Sequence, residues 1–142
     1  MHYRKPLALL DLSDGSEQVA RAAAALAGER GEGLVALHVV EFLPIEPLGE
    51  SLPPIPQVQD ELILLARERL ARLLEGLGLT AALARIETGN TKSTILRVAA
   101  EVGADLIVLG SRERHGLAIL VNFTEDTVLH AAHCDVLAIR LK

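Results

Sequence analysis

The sequence predicts an α/β fold, an open parallel sheet of five strands with helices on both faces. Short apolar runs that suit strands buried on both faces alternate along the chain with segments whose apolar residues repeat at helical spacing. Strands and helices that alternate in this way build a parallel sheet with right-handed crossovers. The chain has 142 residues, the length of one domain, and no linker-like stretch divides it. We therefore expect a single domain over residues 1–142.

Each strand is assigned from a short apolar run that is bounded by turn residues or by charge. The five predicted strands are Pro6–Leu12, Leu34–Val40, Ala81–Glu87, Asp105–Gly110 and Asp135–Leu141. Each helix is assigned from apolar residues spaced three or four apart. The predicted helices are Ser16–Gly28, Val58–Leu74, Thr91–Gly103 and Glu125–His133.

Helix ends and faces follow from particular residues. Ser16 can cap the first helix and Gly28 can end it, while Gly103 can end the third. In the second helix an apolar stripe is expected to face the sheet, along Leu62, Leu65, Arg69 and Leu73. The stretch "EFLPIEPLGESLPPIPQ" holds five of the six prolines. It therefore predicts a loop, Pro44–Pro56, that lies over the domain.

Composition excludes several classes of partner. The formal net charge is −5 and no basic run is present, so nucleic acid is not an expected partner. No apolar run approaches the roughly 20 residues of a membrane span. The apolar N-terminal stretch meets Asp11 too early for a signal peptide. The single cysteine, Cys134, allows no internal disulfide and fits a reducing compartment. We expect a cytoplasmic protein.

The sequence contains candidates for a metal site and for a serine nucleophile, and the residue pattern supports neither. His130, His133 and Cys134 lie close together, but the set has no fourth ligand and no second motif, so no metal is expected. Ser13 or Ser111 as a nucleophile has no base and no orienting partner evident in the sequence. No catalytic residue is therefore predicted.

In an open parallel sheet, ligands bind outside the carboxyl ends of the strands, where the strand order reverses. Asp11 follows the first predicted strand, Val39 ends the second, and Gly110 ends the fourth. Each has a simpler explanation beside the functional one. Asp11 can cap the turn that follows it, and a glycine after a buried strand is often only a turn. These residues are nevertheless where a site is expected.

Several stretches together resemble one known family. They are "LLDLSDGSEQVARAAAALA", "LVALHVVE" and "ADLIVLGSRERHGLAILVNFTEDTVLHAAHCDVLAIR", and they resemble the universal stress protein family over nearly the whole chain outside the proline loop. The resemblance implies a Rossmann-like fold, also described as adenine nucleotide alpha hydrolase-like, with strand order 3-2-1-4-5. It also implies homodimers and a role in stress survival or regulation without turnover.

The family divides on one motif. Nucleotide-binding members carry G-x-x-G, then eight or nine residues, then G-S or G-T, which wrap the phosphates. In those members the first-strand aspartate and the backbone after "LHV" hold the adenosine. The resemblance implies that Asp11, Val39 and Gly110 keep this pattern, whereas Glu113, Asn122 and Phe123 depart from it. The other branch, which resembles universal stress protein A, lacks the motif and is not expected to bind ATP.

The departures have physical consequences. Glu113 would set a carboxylate against polyphosphate, although Arg112 and Arg114 flank it, and two unit charges 4 Å apart repel by about 4 kcal/mol at an effective dielectric near 20. Phe123 adds bulk and offers no donor. Acidic residues that follow a possible Thr124 cap already complement the helix N-terminus by about 0.3–1 kcal/mol each. The result is a predicted vestigial nucleotide site, formed by Asp11, Val39, Gly110, Asn122, Phe123 and Thr124.

Three functions follow from these observations. The first is a dimeric stress-response or regulatory protein without turnover and without tight ATP binding, so that no cofactor is expected. The second is an AMP- or ATP-binding regulator that uses a divergent phosphate loop, and the third is a weak nucleotide hydrolase. The dimer would form through the fifth strand by way of Val136, Ala138 and Arg140, because an unpaired apolar edge favours aggregation. Other protein partners cannot be named from the sequence.

Overall fold

The structure is a computed structural model that describes residues 3–28, 30–41, 56–112, 128 and 130–141. Strands and helices alternate from the first described strand to α3. The elements are β1 (Pro6–Leu9), α1 (Ser16–Ala25), β2 (Val35–Val40), α2 (Pro56–Gly76), β3 (Leu83–Thr88), α3 (Thr91–Val102), β4 (Leu106–Arg112) and β5 (Asp135–Leu141). Of the predicted fourth helix, Val128, His130 and Ala131 are described as helical. The predicted proline loop lies mainly at residues 42–55, outside the described residues.

The five strands form one parallel sheet in the order β3-β2-β1-β4-β5. The predicted fold class and strand order are therefore confirmed. β1 occupies the centre, where Leu9 pairs with Leu37 of β2 and Ala8 pairs with Val108 of β4. The chain leaves β1 toward β2 and β3 and then returns to β4 on the other side. The strand order therefore reverses beside β1, between β1 and β4.

Two apolar layers hold the helices to opposite faces of the sheet. Neighbouring strand residues point to opposite faces, so Ala8 and Leu7 of β1 belong to different layers. The first layer joins α1 and α2 to the sheet through Val19, Ala20, Ala23, Leu70 and Leu74. The second joins α3 and the helical residue Val128 to the other face through Ile95, Val98 and Ala99. The predicted arrangement of helices on both faces is thus present.

Element ends near the central strand differ from the sequence prediction. β1 ends at Leu9 instead of Leu12, because Leu12 adopts a positive φ of 64° that no strand residue has. The first helix is preceded by Gly15, whose position has no side-chain cap, so Ser16 is its first residue and not its cap. The helix ends at Ala25, before the predicted stop at Gly28. β4 continues through Gly110 to Arg112. Apolar composition alone did not mark these ends.

The predicted packing face of α2 was wrong in its first half. Leu62 and Leu65 are 43% and 51% exposed, whereas Ala66, Leu70 and Leu74 are buried. Ala66 is the middle residue of this 21-residue helix, and Leu70 and Leu74 lie in its second half. Such a helix is about 30 Å long, but a six-residue strand spans only about 20 Å. The first turns of α2 therefore extend beyond the core of the sheet. Among the described residues, no helix combines the length and the apolar character that crossing a bilayer requires.

A ring of opposite charges connects the edge strand β3 to α3. Arg85 and Glu87 of β3 form ion pairs with each other and with Glu101 and Arg97 of α3, and the Arg97–Glu87 and Arg97–Glu101 pairs measure 2.6 Å each. The hydrogen bond from Arg97 is the largest influence that lowers the pKa of Glu87. Charged side chains on an edge strand disfavour pairing with the edge of another sheet, so association through β3 is disfavoured.

Candidate functional site

The sheet register brings the sequence-predicted strand-end residues to one edge. Asp11, Val39 and Gly110 each lie two positions beyond a paired residue, which is Leu9, Leu37 or Val108 respectively. These three strands are neighbours in the sheet. The three residues therefore lie toward the carboxyl ends of neighbouring strands, and their role in a site stays a prediction. The other predicted site residues, Asn122, Phe123 and Thr124, and also Glu113, lie outside the described residues.

Asp11 organises the turn between β1 and α1. Its Oδ1 accepts hydrogen bonds from the backbone N–H of Ser13 at 2.9 Å, the Ser13 hydroxyl at 2.6 Å and the Ser16 hydroxyl at 3.1 Å. Charge-assisted bonds of this kind are stronger than neutral ones. The Ser13 hydroxyl therefore takes part in holding the turn, through its hydrogen bond to the Asp11 carboxylate. The turn-capping explanation for Asp11 thus has direct geometric support.

The same turn is also held by Arg69 of α2, which the sequence placed on the apolar stripe of that helix. Leu12 has a left-handed backbone, which is unusual for a side chain of this size. Arg69 of α2 donates a hydrogen bond from Nη2 to the Leu12 carbonyl at 2.7 Å. The turn is therefore held from one side by Asp11 and from the other by α2. The sequence signal was a single arginine on an otherwise apolar stripe, which did not identify its partner.

The end of β2 also commits its polar groups to structure. His38 places Nδ1 2.7 Å from the Leu10 carbonyl, so in the Nδ1–H tautomer it donates to that oxygen. Glu41 accepts from the backbone N–H of Thr91 at 2.7 Å, at the start of α3. Hydrogen bonding by Thr91 is the main cause that lowers the pKa of Glu41. Val39 itself is 8% exposed. The sequence did not indicate that the Glu41 carboxylate would hold the start of α3.

Gly110 is a strand residue, and the expectation that it ends β4 in a turn was wrong. It pairs with Ile139 of β5 inside the ladder. A Cβ built on Gly110 would lie 2.6 Å from Leu141 Cδ1 and 3.3 Å from Val19 Cγ2. Close packing of β5 and α1 therefore favours a glycine at this position, because a larger residue would push the Leu141 and Val19 side chains aside.

The histidine and cysteine residues near β5 do not assemble a recognisable metal site in the described ranges. Within them, no group of three His, Cys, Asp or Glu side chains is placed to hold a metal ion. Burial raises the pKa of the Cys134 thiol, and the carboxylates of Asp135 and Asp105 raise it further. A raised pKa leaves less thiolate, which is the reactive form. Cys134 packs against the second apolar layer.

Comparison with known proteins gives a consistent result. The family model for the universal stress protein family matches residues 2–140. Universal stress protein A homolog 2 of Coxiella burnetii is 33% identical over 142 residues, which cover 99% of this chain and 97% of that protein. Universal stress protein A homolog 1 of the same organism is 33% identical over 143 residues, covering 100% and 99%.

Solved structures share the fold at lower identity. A universal stress protein in complex with cAMP is 21% identical, with a TM-score of 0.73 and coverage of 98% of each chain. The universal stress protein UspA from Lactobacillus plantarum is 24% identical, with a TM-score of 0.66 and coverage of 99% of each chain. At these identities the likeness establishes the fold alone.

Proposed function

This chain belongs to the universal stress protein family, and we propose that it acts as a cytoplasmic, homodimeric regulator of the stress response that performs no turnover and binds ATP weakly or not at all. The observation that supports weak ATP binding is that the carboxylates of Asp11 and Glu41, at the carboxyl ends of the strands, already accept internal hydrogen bonds. Asp11 caps the β1–α1 turn and Glu41 holds the start of α3. An adenosine moiety would have to compete with these internal bonds for the two carboxylates.

We propose the absence of turnover because the serine hydroxyl groups at this edge already donate hydrogen bonds within the protein. Ser13 and Ser16 both donate to Asp11, and the one histidine described there, His38, uses Nδ1 on a backbone carbonyl. A serine nucleophile needs a base that accepts its proton and a third group that orients the base. Here both hydroxyls donate to the Asp11 carboxylate, which is a weaker base than an imidazole and is already engaged in holding the turn. A weak nucleotide hydrolase is therefore the least supported of the three functions.

Nucleotide binding through a divergent loop is the second candidate. Asp11 is level with Val39 in the register of β1 and β2, and Gly110 lies one position lower, level with Leu10. The family resemblance implies that these residues hold adenosine, and their proximity supports this candidate. One structural neighbour was solved in complex with cAMP. This candidate and the first differ in ATP affinity, which can be measured directly.

Restoring the phosphate-binding motif should raise ATP affinity at least tenfold, worth about 1.4 kcal/mol. The variant is Glu113→Gly with Asn122→Gly and Phe123→Ser, which removes a carboxylate and a bulky ring and adds a hydroxyl donor. Isothermal titration calorimetry with ATP and Mg²⁺ on both proteins gives the comparison. The control is His115→Gly, which adds a glycine in the same segment without restoring the motif. Micromolar or tighter binding by the unmodified chain would contradict the proposal.

The homodimer is proposed through β5, because the charged side chains of the other edge strand, β3, are already held in ion pairs with α3. Each edge strand carries one basic and one acidic residue, and between them β5 has the continuous apolar run "VLAI". Val136, Ala138 and Arg140 lie on one face of β5, since side chains alternate along a strand. A symmetric pairing of this edge with its own copy would remove an unpaired apolar edge.

Ala138→Asp should shift the dimer to monomer, because a twofold axis near the middle of β5 would bring two new carboxylates together. Ala138 is exposed in the single chain, so the change leaves the core intact. The matched control is Ala84→Asp, an exposed alanine on the opposite edge strand β3, which should leave the dimer unchanged. Sedimentation velocity at micromolar concentration measures both. A monomeric unmodified protein, or equal dissociation by the two variants, would refute the β5 interface.

A further inference from the structure

A cleft of about 400 Å³ opens between the β1–α1 turn and α2. Two basic, two hydroxyl-bearing and two apolar side chains line it, namely Arg69, Arg72, Ser13, Ser16, Leu12 and Leu73. It adjoins Asp11 but opens toward α2, on the face of the sheet that α1 and α2 cover. A volume near 400 Å³ is within the range of about 300–1,000 Å³ that is typical of small-molecule sites.

The cleft concentrates positive charge in an acidic protein. The chain carries a formal net charge of −5, yet Arg69 and Arg72 enter none of the ion pairs between described residues. They are three positions apart on α2 and therefore share one helix face. Arg69 donates to a neutral carbonyl, that of Leu12. Two permanently charged guanidinium groups thus line one small cleft without a carboxylate between them.

Two acidic groups near the cleft already have partners. Asp11 accepts the protons of the Ser13 and Ser16 hydroxyls on its own side of the turn. Glu17, in the first turn of α1, pairs with Arg21 at 2.9 Å. Among the described residues that line the cleft, Arg69 and Arg72 carry the charge and none is acidic. Because the Ser16 hydroxyl donates to Asp11, it can offer a ligand only an acceptor oxygen.

From this arrangement we propose that the cleft binds a small phosphomonoester that carries hydroxyl groups. The planar guanidinium fork matches a phosphate group and binds it with two parallel hydrogen bonds. A ligand hydroxyl can donate to the Ser16 oxygen, which a bare phosphate dianion cannot do. Leu12 and Leu73 provide apolar walls for a short carbon chain. This site goes beyond the proposed function, since its basic residues lie on α2 and it does not require the dimer.

The test uses glycerol 3-phosphate as the probe, with inorganic phosphate and glycerol as its separate parts. The unmodified protein should bind glycerol 3-phosphate saturably and at least tenfold more tightly than either part. Arg72→Gln should weaken that binding at least tenfold, because it removes the positive charge and most of the donors of the fork. Heteronuclear NMR titration should place the largest shifts at Ser13, Ser16 and Arg72.

Arg67→Gln is the matched control. Arg67 is an exposed arginine of the same helix that also enters no ion pair among the described residues, but it does not line the cleft. It should leave the affinity unchanged, and both variants should unfold at the same temperature as the unmodified protein. Equal losses from the two variants, no saturable binding, or shifts centred on Val39 and Gly110 would overturn the proposal. Tight ATP binding that is insensitive to Arg72→Gln would contradict the proposed function alone.

Discussion

Gly33→Ala should destabilise the protein by about 3 kcal/mol or more, the sum of a left-handed backbone cost and an overpacking cost. Gly33 precedes β2 with φ at +81°, a conformation that side-chain-bearing residues rarely adopt. A Cβ there would lie 2.2 Å from the Arg4 carbonyl oxygen. That oxygen belongs to the backbone just before β1, so the two central strands would have to separate. Chemical denaturation with urea measures the free energy of unfolding.

Gly78→Ala separates the two costs. Gly78 has φ at +72°, close to that of Gly33, but a Cβ there would meet no atom within 4 Å. It should therefore lose only the backbone part, about 1–2 kcal/mol. A Gly33→Ala variant that is no less stable than Gly78→Ala would show that the close approach to Arg4 has no energetic weight.

Gly110→Val should cost about 2–3 kcal/mol, because side-chain atoms inserted into packed space force their neighbours to move. The valine would meet Leu141 Cδ1 and Val19 Cγ2 between β5 and α1. Thermal unfolding and urea titration should report the loss. A valine favours strand structure, so the expected sign is opposite to what local propensity alone predicts.

Leu141→Ala provides the internal control for this assignment. Alone it should cost about 2–5 kcal/mol through the cavity that it leaves. Combined with Gly110→Val, it should cost less than the sum of the two single variants, because the new methyl groups occupy part of that cavity. Strict additivity would show that Gly110 does not contact Leu141. The presence of a glycine at position 110 would then need another explanation, such as ligand binding at the carboxyl edge.

Elements with local end signals were predicted well. α3 begins after Asn90, whose side chain accepts from the Ser93 N–H at 3.0 Å, and ends at Gly103 in a left-handed conformation. Both signals lie in the sequence within a turn of the helix ends. β5 has the predicted bounds, Asp135–Leu141, because charged and polar residues flank its apolar run.

Elements whose ends depend on distant partners were predicted less well. Leu10 and Leu12 extend the apolar run of β1, yet the strand ends at Leu9 and the chain turns at Leu12. The apolar stripe of α2 includes Leu62 and Leu65, but burial depends on how far the sheet extends under the helix. Neither limit is encoded in the segment itself.

For the candidate site, the sequence predicted where residues lie along the strands but not the contacts that they make. The sequence identified Asp11, Val39 and Gly110 as strand-end residues, and the parallel register brought them to one edge. It did not predict that Asp11 would accept from Ser13 and Ser16, although those residues are near neighbours. It also did not indicate that Gly110 would pack against Leu141 of β5.

By itself, the sequence determined the alternation of elements, the fold class and the family resemblance, because these depend on periodicity and on motifs that are local in the chain. Only the tertiary structure decided which polar groups are already engaged and where charge collects. Arg69 reaches the Leu12 carbonyl from 57 residues away and lines a cleft with Arg72. The physical reason is that a side chain's partner depends on the packing of α2 across the sheet, and no local pattern specifies that distance.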